Sequence, residues 1–278
     1  MNFNLFSELS YEVYSPTTFV FNIQAARSAS QKILKESLLI TIPLSTEEFE
    51  LDEVRFIKLH VDKPMFFTLT YNAEVEVDYK IIDESSLFQS IPLINFDKKI
   101  YPYLFPSRHC QSDKLEKLAL KEFGKYSNEY SKVSAITDWI FNNIDYISGS
   151  TDAGTSAYDT VVQRQGVCKD FAHLGIALCR ALNIPARYFT GYAYQLGTPD
   201  FHACFEAYLG NQWIIFDPTK MVPINGLVKI ANGKDAAEVA VGNFFGNTIC
   251  TYMNVQSTTS GNFIPYKSEG NVIQAISY

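Results

Sequence analysis

Residues 165–187 read QGVCKDFAHLGIALCRALNIPAR, which places Cys168 directly after a Gly-Val pair at the predicted start of a helix. Apolar residues recur at helical spacing from Phe171 to Leu182, and the helix is expected to end before Pro185. This stripe predicts a helix packed into a core. This stretch alone does not determine the role of Cys168, which could be a buried apolar residue, a metal ligand, a disulfide partner or a nucleophile.

The composition indicates a globular protein that needs no nucleic acid partner. The chain has 278 residues, 47% of them hydrophobic, and a formal net charge of -7. No run of Lys or Arg is dense enough to follow a phosphate backbone. The first residues lack the basic and apolar regions of a signal peptide, and no apolar run approaches the roughly 20 residues that span a bilayer. We therefore expect a soluble, cytoplasmic protein with no membrane partner.

The cysteines do not form a disulfide framework or a metal-binding motif. There are five, an odd number, and no two are spaced as C-x-x-C. Cys168 and His173 are the closest Cys/His pair on one helix, but five residues at about 100° each place them roughly 140° apart around its axis. They would not converge on one ion. We therefore predict no metal and no cofactor.

Two lobes are predicted, with a boundary near residue 95. Val75, Val77, Tyr79 and Ile81 alternate with charged residues, which is typical of a strand with one buried face. Several other short segments have a similar strand-like pattern, so residues 1–95 are predicted to form an antiparallel β-sandwich. Helical periodicity and then further strands follow, so residues 96–278 are predicted to be an α+β catalytic domain.

The first turn of a helix favours the thiolate form of a cysteine through its free backbone N–H groups and the positive end of its dipole. Cys168 lies at such a position. Its own backbone N–H would also be free to donate to an oxyanion. A nucleophile additionally needs a general base and a group that orients the base.

Residues 202–219, HACFEAYLGNQWIIFDPT, offer both groups on two strands. If Gly210–Asn211 forms a two-residue hairpin turn, Cys204 pairs with Asp217. His202 then becomes the diagonal neighbour of Asp217 on the same face, within reach of its side chain. A three-residue turn would instead place Asp217 on the opposite face.

A Cys-His-Asp constellation is one interpretation of these residues. The imidazole would take the thiol proton, and the carboxylate would fix the imidazole tautomer. In the alternative interpretation, His202 is an exposed strand residue and Asp217 is a turn former ahead of Pro218.

The sequence resembles the transglutaminase-like superfamily of cysteine enzymes, particularly bacterial members with a β-rich N-terminal region. The resemblance is carried by the segments GVCKDFAHLGIALCRALNIPARYFTGYAY and DFHACFEAYLGNQWIIFDPT, and more weakly by the residues that follow up to Gly246. The segments YLFPSRHC and LSYEVYSP also resemble the family. The resemblance implies a papain-like α+β fold with Cys168 as nucleophile, His202 as base and Asp217 as its orienting group. One departure is Cys204, where relatives commonly have Trp.

The expected activity is cleavage of an amide or peptide bond in a peptide or protein substrate, through a thioester on Cys168. One alternative is transglutaminase-type acyl transfer to an amine, and another is a non-catalytic protein-binding module with a vestigial site. Because the Trp of relatives is replaced by the smaller Cys204, we expect a more open site in which water is the acceptor. The oligomeric state is left open.

Five further side chains are functional candidates with structural alternatives. Asp170 lies in the first helical turn, where the dipole favours a carboxylate, so a structural role stands beside a catalytic one. His173 is expected in the core or behind the site. Gln163 and Gln165 could supply an oxyanion donor, but we expect them on the surface. Cys179 should lie roughly 16 Å along the helix from Cys168, too far to act as a resolving thiol.

Overall fold

A computed structural model describes residues 1–266 and 273–278. The strands are β1 (Asn2–Val13), β2 (Thr17–Phe21), β3 (Gln31–Ile40), β4 (Thr46–Leu51), β5 (Val54–Val61), β6 (Met65–Val77), β7 (Lys80–Asp83), β8 (Asp145–Tyr146), β9 (Gln165–Gly166), β10 (Ala186–Ala193), β11 (His202–Leu209), β12 (Gln212–Phe216), β13 (Leu227–Gly233), β14 (Gly242–Phe245), β15 (Thr248–Thr259) and β16 (Gln274–Ser277). The helices are α1 (Glu84–Leu87), α2 (Ser112–Phe123), α3 (Glu129–Asn143), α4 (Ala157–Gln163), α5 (Cys168–Ala181) and α6 (Ala236–Val239). Among the described residues, no helix is both long and apolar enough to cross a membrane.

The N-terminal part of the chain forms the predicted antiparallel β-sandwich. One sheet has the order β15-β1-β6-β3 and the other has the order β14-β2-β5-β4. Between the sheets, Tyr11 packs against Phe19, Phe21 and Phe67 with ring centroids 5.4 to 5.6 Å apart. These rings explain why the chain is so rich in Phe and Tyr, since large aromatic side chains fill the space between two pleated faces.

The sandwich also takes strands from the far end of the chain. Strand β15 pairs with β1 from Phe3–Thr259 to Val13–Thr248, and β14 pairs with β2. Strand β16 pairs with β7. Segments within the predicted catalytic domain, residues 96–278, are therefore hydrogen-bonded to strands of residues 1–95. The proposed domain boundary stays a prediction.

The alternation predicted for residues 75–81 holds only in its first part. Val75 and Val77 are buried as expected, and β6 ends at Val77. Two residues outside any strand follow, and in β7 the alternation of buried and exposed positions is shifted by one residue. Ile82 is therefore buried, while Ile81 is 49% exposed. The prediction for Ile81 was wrong because β6 ends at Val77 and a separate strand, β7, begins at Lys80 with the opposite phase.

The second lobe is an α+β unit built around α5. This helix packs against β10 and β11 of the sheet β12-β11-β10-β13, and α2, α3 and α4 surround it. The helix and sheet approach closely at Gly175, where a Cβ atom would lie 2.5 Å from the ring of Phe205. The sequence therefore needs glycine at this point. The close packing fixes α5 against β11 and so fixes Cys168 relative to His202.

Candidate active site

The N-terminus of α5 is held by a carboxylate and not by a residue before the helix. Asp170 is fully buried, and its Oδ2 accepts the backbone N–H of Val167 at 2.9 Å and the hydroxyl of Thr151 at 2.6 Å. A Cβ on Gly166 would lie 2.7 Å from the Cβ of Asp170, so the glycine makes room for this cap. Asp170 thus has a structural role, and it fixes the backbone that carries Cys168.

The hairpin between β11 and β12 has the two-residue turn expected from the sequence. Gly210 and Asn211 both have positive φ angles, 54° and 65°, as a type I′ turn requires. The register pairs Leu209 with Gln212 and Phe205 with Phe216. The predicted register is confirmed, and the next position along β12 brings Asp217 towards His202.

His202 and Asp217 form a buried hydrogen-bonded pair. His202 Nε2 lies 3.0 Å from Asp217 Oδ2, and both side chains are 1% exposed. The other carboxylate oxygen, Oδ1, accepts the backbone N–H of Thr219 at 2.9 Å and its hydroxyl at 2.7 Å. Thr219 therefore orients the carboxylate that orients the imidazole.

The electrostatics of this pair favour a charged imidazole beside a charged carboxylate. Burial opposes protonation of His202, but Cys204, Asp217 and the hydrogen bond to Cys168 together raise its pKa well above the ordinary value. Burial would raise the pKa of Asp217, yet His202 and the hydrogen bonds from Thr219 hold this pKa below its usual range. An imidazolium formed at His202 is therefore stabilised by the neighbouring carboxylate of Asp217.

Cys168 completes the group that the sequence predicted. Its side chain is partly exposed, whereas Cys110, Cys179 and Cys204 are buried. The thiol lies near the imidazole of His202, where it contributes to the raised pKa of that ring. Because Asp217 occupies Nε2 of the ring, Nδ1 is the nitrogen left for the thiol. The tertiary structure thus brings a thiol, an imidazole and a carboxylate together, which is an arrangement that can support acyl transfer.

Tyr146 is a residue of this site that the sequence did not reveal. Strand β8 pairs with β9 so that Tyr146 lies opposite Gly166, two residues before Cys168, and its ring packs on Phe171 at 5.7 Å. Its hydroxyl lies near the backbone N–H of Cys168. Burial and the neighbouring Cys168 raise the pKa of Tyr146 to about 12, so the phenol stays protonated. No spacing motif links it to residues 166–170.

Cys204 also lies within this group of side chains. His202, Cys204 and Asp217 each offer a ligand atom, and these atoms lie within 4.8 Å of one another. Burial, followed by the charge of Asp217, raises the pKa of Cys204 to about 12, which keeps it a neutral thiol at neutral pH. The sequence predicted that Cys204 would lie opposite Asp217. It indicated Cys204 only as a smaller residue in the wall of the substrate site.

The remaining candidates lie outside the group. His173 stacks on His109 with ring centroids 5.0 Å apart, and its Nε2 accepts the backbone N–H of Ala236 at 3.1 Å. Burial lowers the pKa of His173 to about 3, with His109 as the next cause, so it is a neutral core residue. Gln163 is exposed at the end of α4, and Gln165 is partly buried in β9.

Two family models match the chain. The model for the bacterial transglutaminase N-terminal domain matches residues 1–99, and the model for the transglutaminase-like superfamily matches residues 117–218. A solved structure from Cytophaga hutchinsonii, described as a "Putative Cysteine Protease", is 55% identical and has a TM-score of 0.97; the alignment covers 100% of this chain and 97% of that one. The chain belongs to the transglutaminase-like superfamily. Its mixed α and β content and antiparallel sheets agree with this family.

Curated relatives of this transglutaminase-like protein are more distant. An uncharacterized protein of Mycobacterium leprae is 33% identical over 129 residues, which are 43% of this chain and 46% of the relative. The uncharacterized protein YebA of Bacillus subtilis is 27% identical over 180 residues, which are 55% of this chain and 23% of the relative. The chain thus spans less than half the length of these relatives.

Proposed function

We propose that the protein is a cytoplasmic cysteine hydrolase that cleaves an amide or peptide bond in a peptide or protein substrate. The observation that carries this proposal is the buried hydrogen bond of 3.0 Å between His202 Nε2 and Asp217 Oδ2, with the thiol of Cys168 near the same ring. An isolated surface histidine would have no such partners. The similarity to a protein described as a "Putative Cysteine Protease" supports the same reaction class.

In the proposed reaction, Nδ1 of His202 takes the proton of the Cys168 thiol as sulfur attacks the carbonyl carbon. The developing oxyanion accepts the backbone N–H of Cys168, which lies near the hydroxyl of Tyr146. The Tyr146 hydroxyl can turn its own proton towards the same oxygen. His202 then returns the proton to the leaving amine, and a thioester remains on Cys168.

Water releases the acyl group in the second half of the reaction. His202 takes one proton from the water molecule as its oxygen attacks the thioester, and then gives that proton to the departing sulfur. Transfer to an amine would differ only in the acceptor. The small Cys204, where relatives commonly have Trp, supports water as the acceptor because the site then lacks a bulky apolar wall.

A peptide library presented to the purified protein tests the proposal, with products identified by mass spectrometry in the presence of a labelled primary amine. We expect free acids as products, no product from Cys168→Ala, and normal product from the control Cys250→Ala, whose thiol is exposed in β15. Amine adducts in excess over free acid would show a transferase instead. Equal product formation by Cys168→Ala would exclude the proposed nucleophile.

A further inference from the structure

We propose that His202, Cys204 and Asp217 form a binding site for one thiophilic divalent cation, with Zn²⁺ as the preferred ion, and that the bound ion inhibits the hydrolase. Among the described residues, these three form the one group of at least three His, Cys, Asp or Glu side chains placed to share an ion. The inhibition rests on the function proposed above, whereas the binding does not.

The three ligand atoms already lie close to the spacing of a zinc site. With Zn–N and Zn–O bonds of about 2.0–2.2 Å and a Zn–S bond of about 2.3 Å, tetrahedral ligands are separated by roughly 3.3–3.6 Å. His202 Nε2 and Asp217 Oδ2 are 3.0 Å apart. One ligand atom from each of the three residues lies within 4.8 Å of the other two. Binding therefore needs side-chain shifts of up to about 1 Å.

Local structure holds each ligand in place. His202 and Cys204 are two positions apart on β11, so their side chains leave the strand on the same face. Asp217 follows β12 in register opposite Cys204, and Thr219 donates two hydrogen bonds to the carboxylate oxygen that faces away from His202. Outer hydrogen bonds of this kind orient carboxylate ligands in metal sites.

Charge and ligand type select the ion. A neutral imidazole, a thiolate and a carboxylate carry two negative charges, which a divalent cation neutralises in a site that excludes water. Binding releases two protons, one from the thiol of Cys204 and one from Nε2 of the His202 imidazolium, which keeps its proton on Nδ1. Sulfur and nitrogen ligands favour Zn²⁺, whereas Mg²⁺ and Ca²⁺ require six or more oxygen ligands. Three protein ligands leave a fourth position open.

The bound ion would stop catalysis without touching the nucleophile. With the metal on Nε2 of His202, the neutral ring carries its only proton on Nδ1. That nitrogen then cannot accept the proton of Cys168. The site depends on Cys204, so inhibition by this route requires this cysteine.

The binding is tested on the full-length Cys168→Ala protein, which keeps all three ligands and lacks the nucleophile. Competition with a chromophoric chelator should give one Zn²⁺ per chain, with no displacement by millimolar Mg²⁺. Cys204→Ser should weaken zinc binding at least tenfold, whereas Cys250→Ser, the matched control in β15, should not. Absence of zinc binding to Cys168→Ala, or unchanged affinity in a folded Cys204→Ser, would overturn the proposal.

Cobalt provides a second measurement if Cys204→Ser does not fold. Co²⁺ bound to the Cys168→Ala protein should show a thiolate-to-cobalt charge-transfer absorption, and its absence would exclude Cys204 as a ligand. In the wild type, saturating Zn²⁺ should abolish turnover, and a chelator should restore it. Full turnover with the ion bound would refute the inhibition. A wild type without any turnover would refute the proposed function and leave the binding result standing.

Discussion

Replacing Asp217 by Asn tests how the proposed base is oriented. In the wild type, Oδ2 accepts from His202 Nε2 at 3.0 Å while Oδ1 accepts from the N–H and hydroxyl of Thr219 at 2.9 and 2.7 Å. An amide has one acceptor oxygen and cannot serve both partners. If the oxygen stays on Thr219, the NH₂ group faces Nε2 and the ring proton moves to Nδ1, where it blocks acceptance of the Cys168 proton.

The opposite amide orientation keeps the productive tautomer but sets the NH₂ group against the buried N–H of Thr219. A buried donor without a partner costs about 1–3 kcal/mol, which leaves the productive form roughly 5- to 150-fold less populated. The variant also loses the negative charge that stabilises the imidazolium of His202. The combined loss of turnover should be roughly 10²–10⁴-fold in a folded protein.

The assay compares kcat/KM for Asp217→Asn, His202→Ala and the wild type on one substrate, with circular dichroism to check folding. His202→Ala should be at least as damaging, because it removes the base itself. Thr219→Val is the matched control: it removes the hydroxyl donor but keeps the backbone N–H, so its loss should stay below about tenfold. A folded Asp217→Asn with turnover close to the wild type would refute the proposed triad.

Three further results are expected. Cys168 should be alkylated before the four other cysteines, including the exposed Cys250, because only Cys168 is proposed to pair with a base; mass-spectrometric mapping after brief exposure to iodoacetamide checks this, and earlier labelling at Cys250 would contradict it. Tyr146→Phe should lower kcat roughly tenfold or more with little change in KM, whereas an unchanged kcat would remove Tyr146 from the oxyanion site. The pKa of His173, lowered by burial to about 3, means that the unfolded chain binds a proton that the folded protein refuses. The free energy of unfolding should therefore fall as the pH drops from about 6.5 towards 3, and denaturant titrations should show a flatter dependence for His173→Gln; an equal slope would contradict this.

The parts of the site that depend on residues close together in the chain could be predicted from the sequence. The helical stripe after Cys168 predicted α5 because its period follows from the backbone alone. The Gly-Asn pair determined the turn and hence the register of β11 and β12, since both residues must adopt positive φ. Register then predicted that His202 and Asp217 would meet.

Contacts between residues that are far apart in the chain could not be predicted from the sequence and are seen only in the tertiary structure. A strand pattern gives the phase of burial but not the partner, so the sequence could not place β15 beside β1. Tyr146 reaches Cys168 because β8 pairs with β9, and two-residue strands carry no periodic signal. The hairpin register predicted that Cys204 would lie opposite Asp217. The distance between Cys204 and His202 depends on the directions of their side chains, which are fixed by the packing of the folded protein.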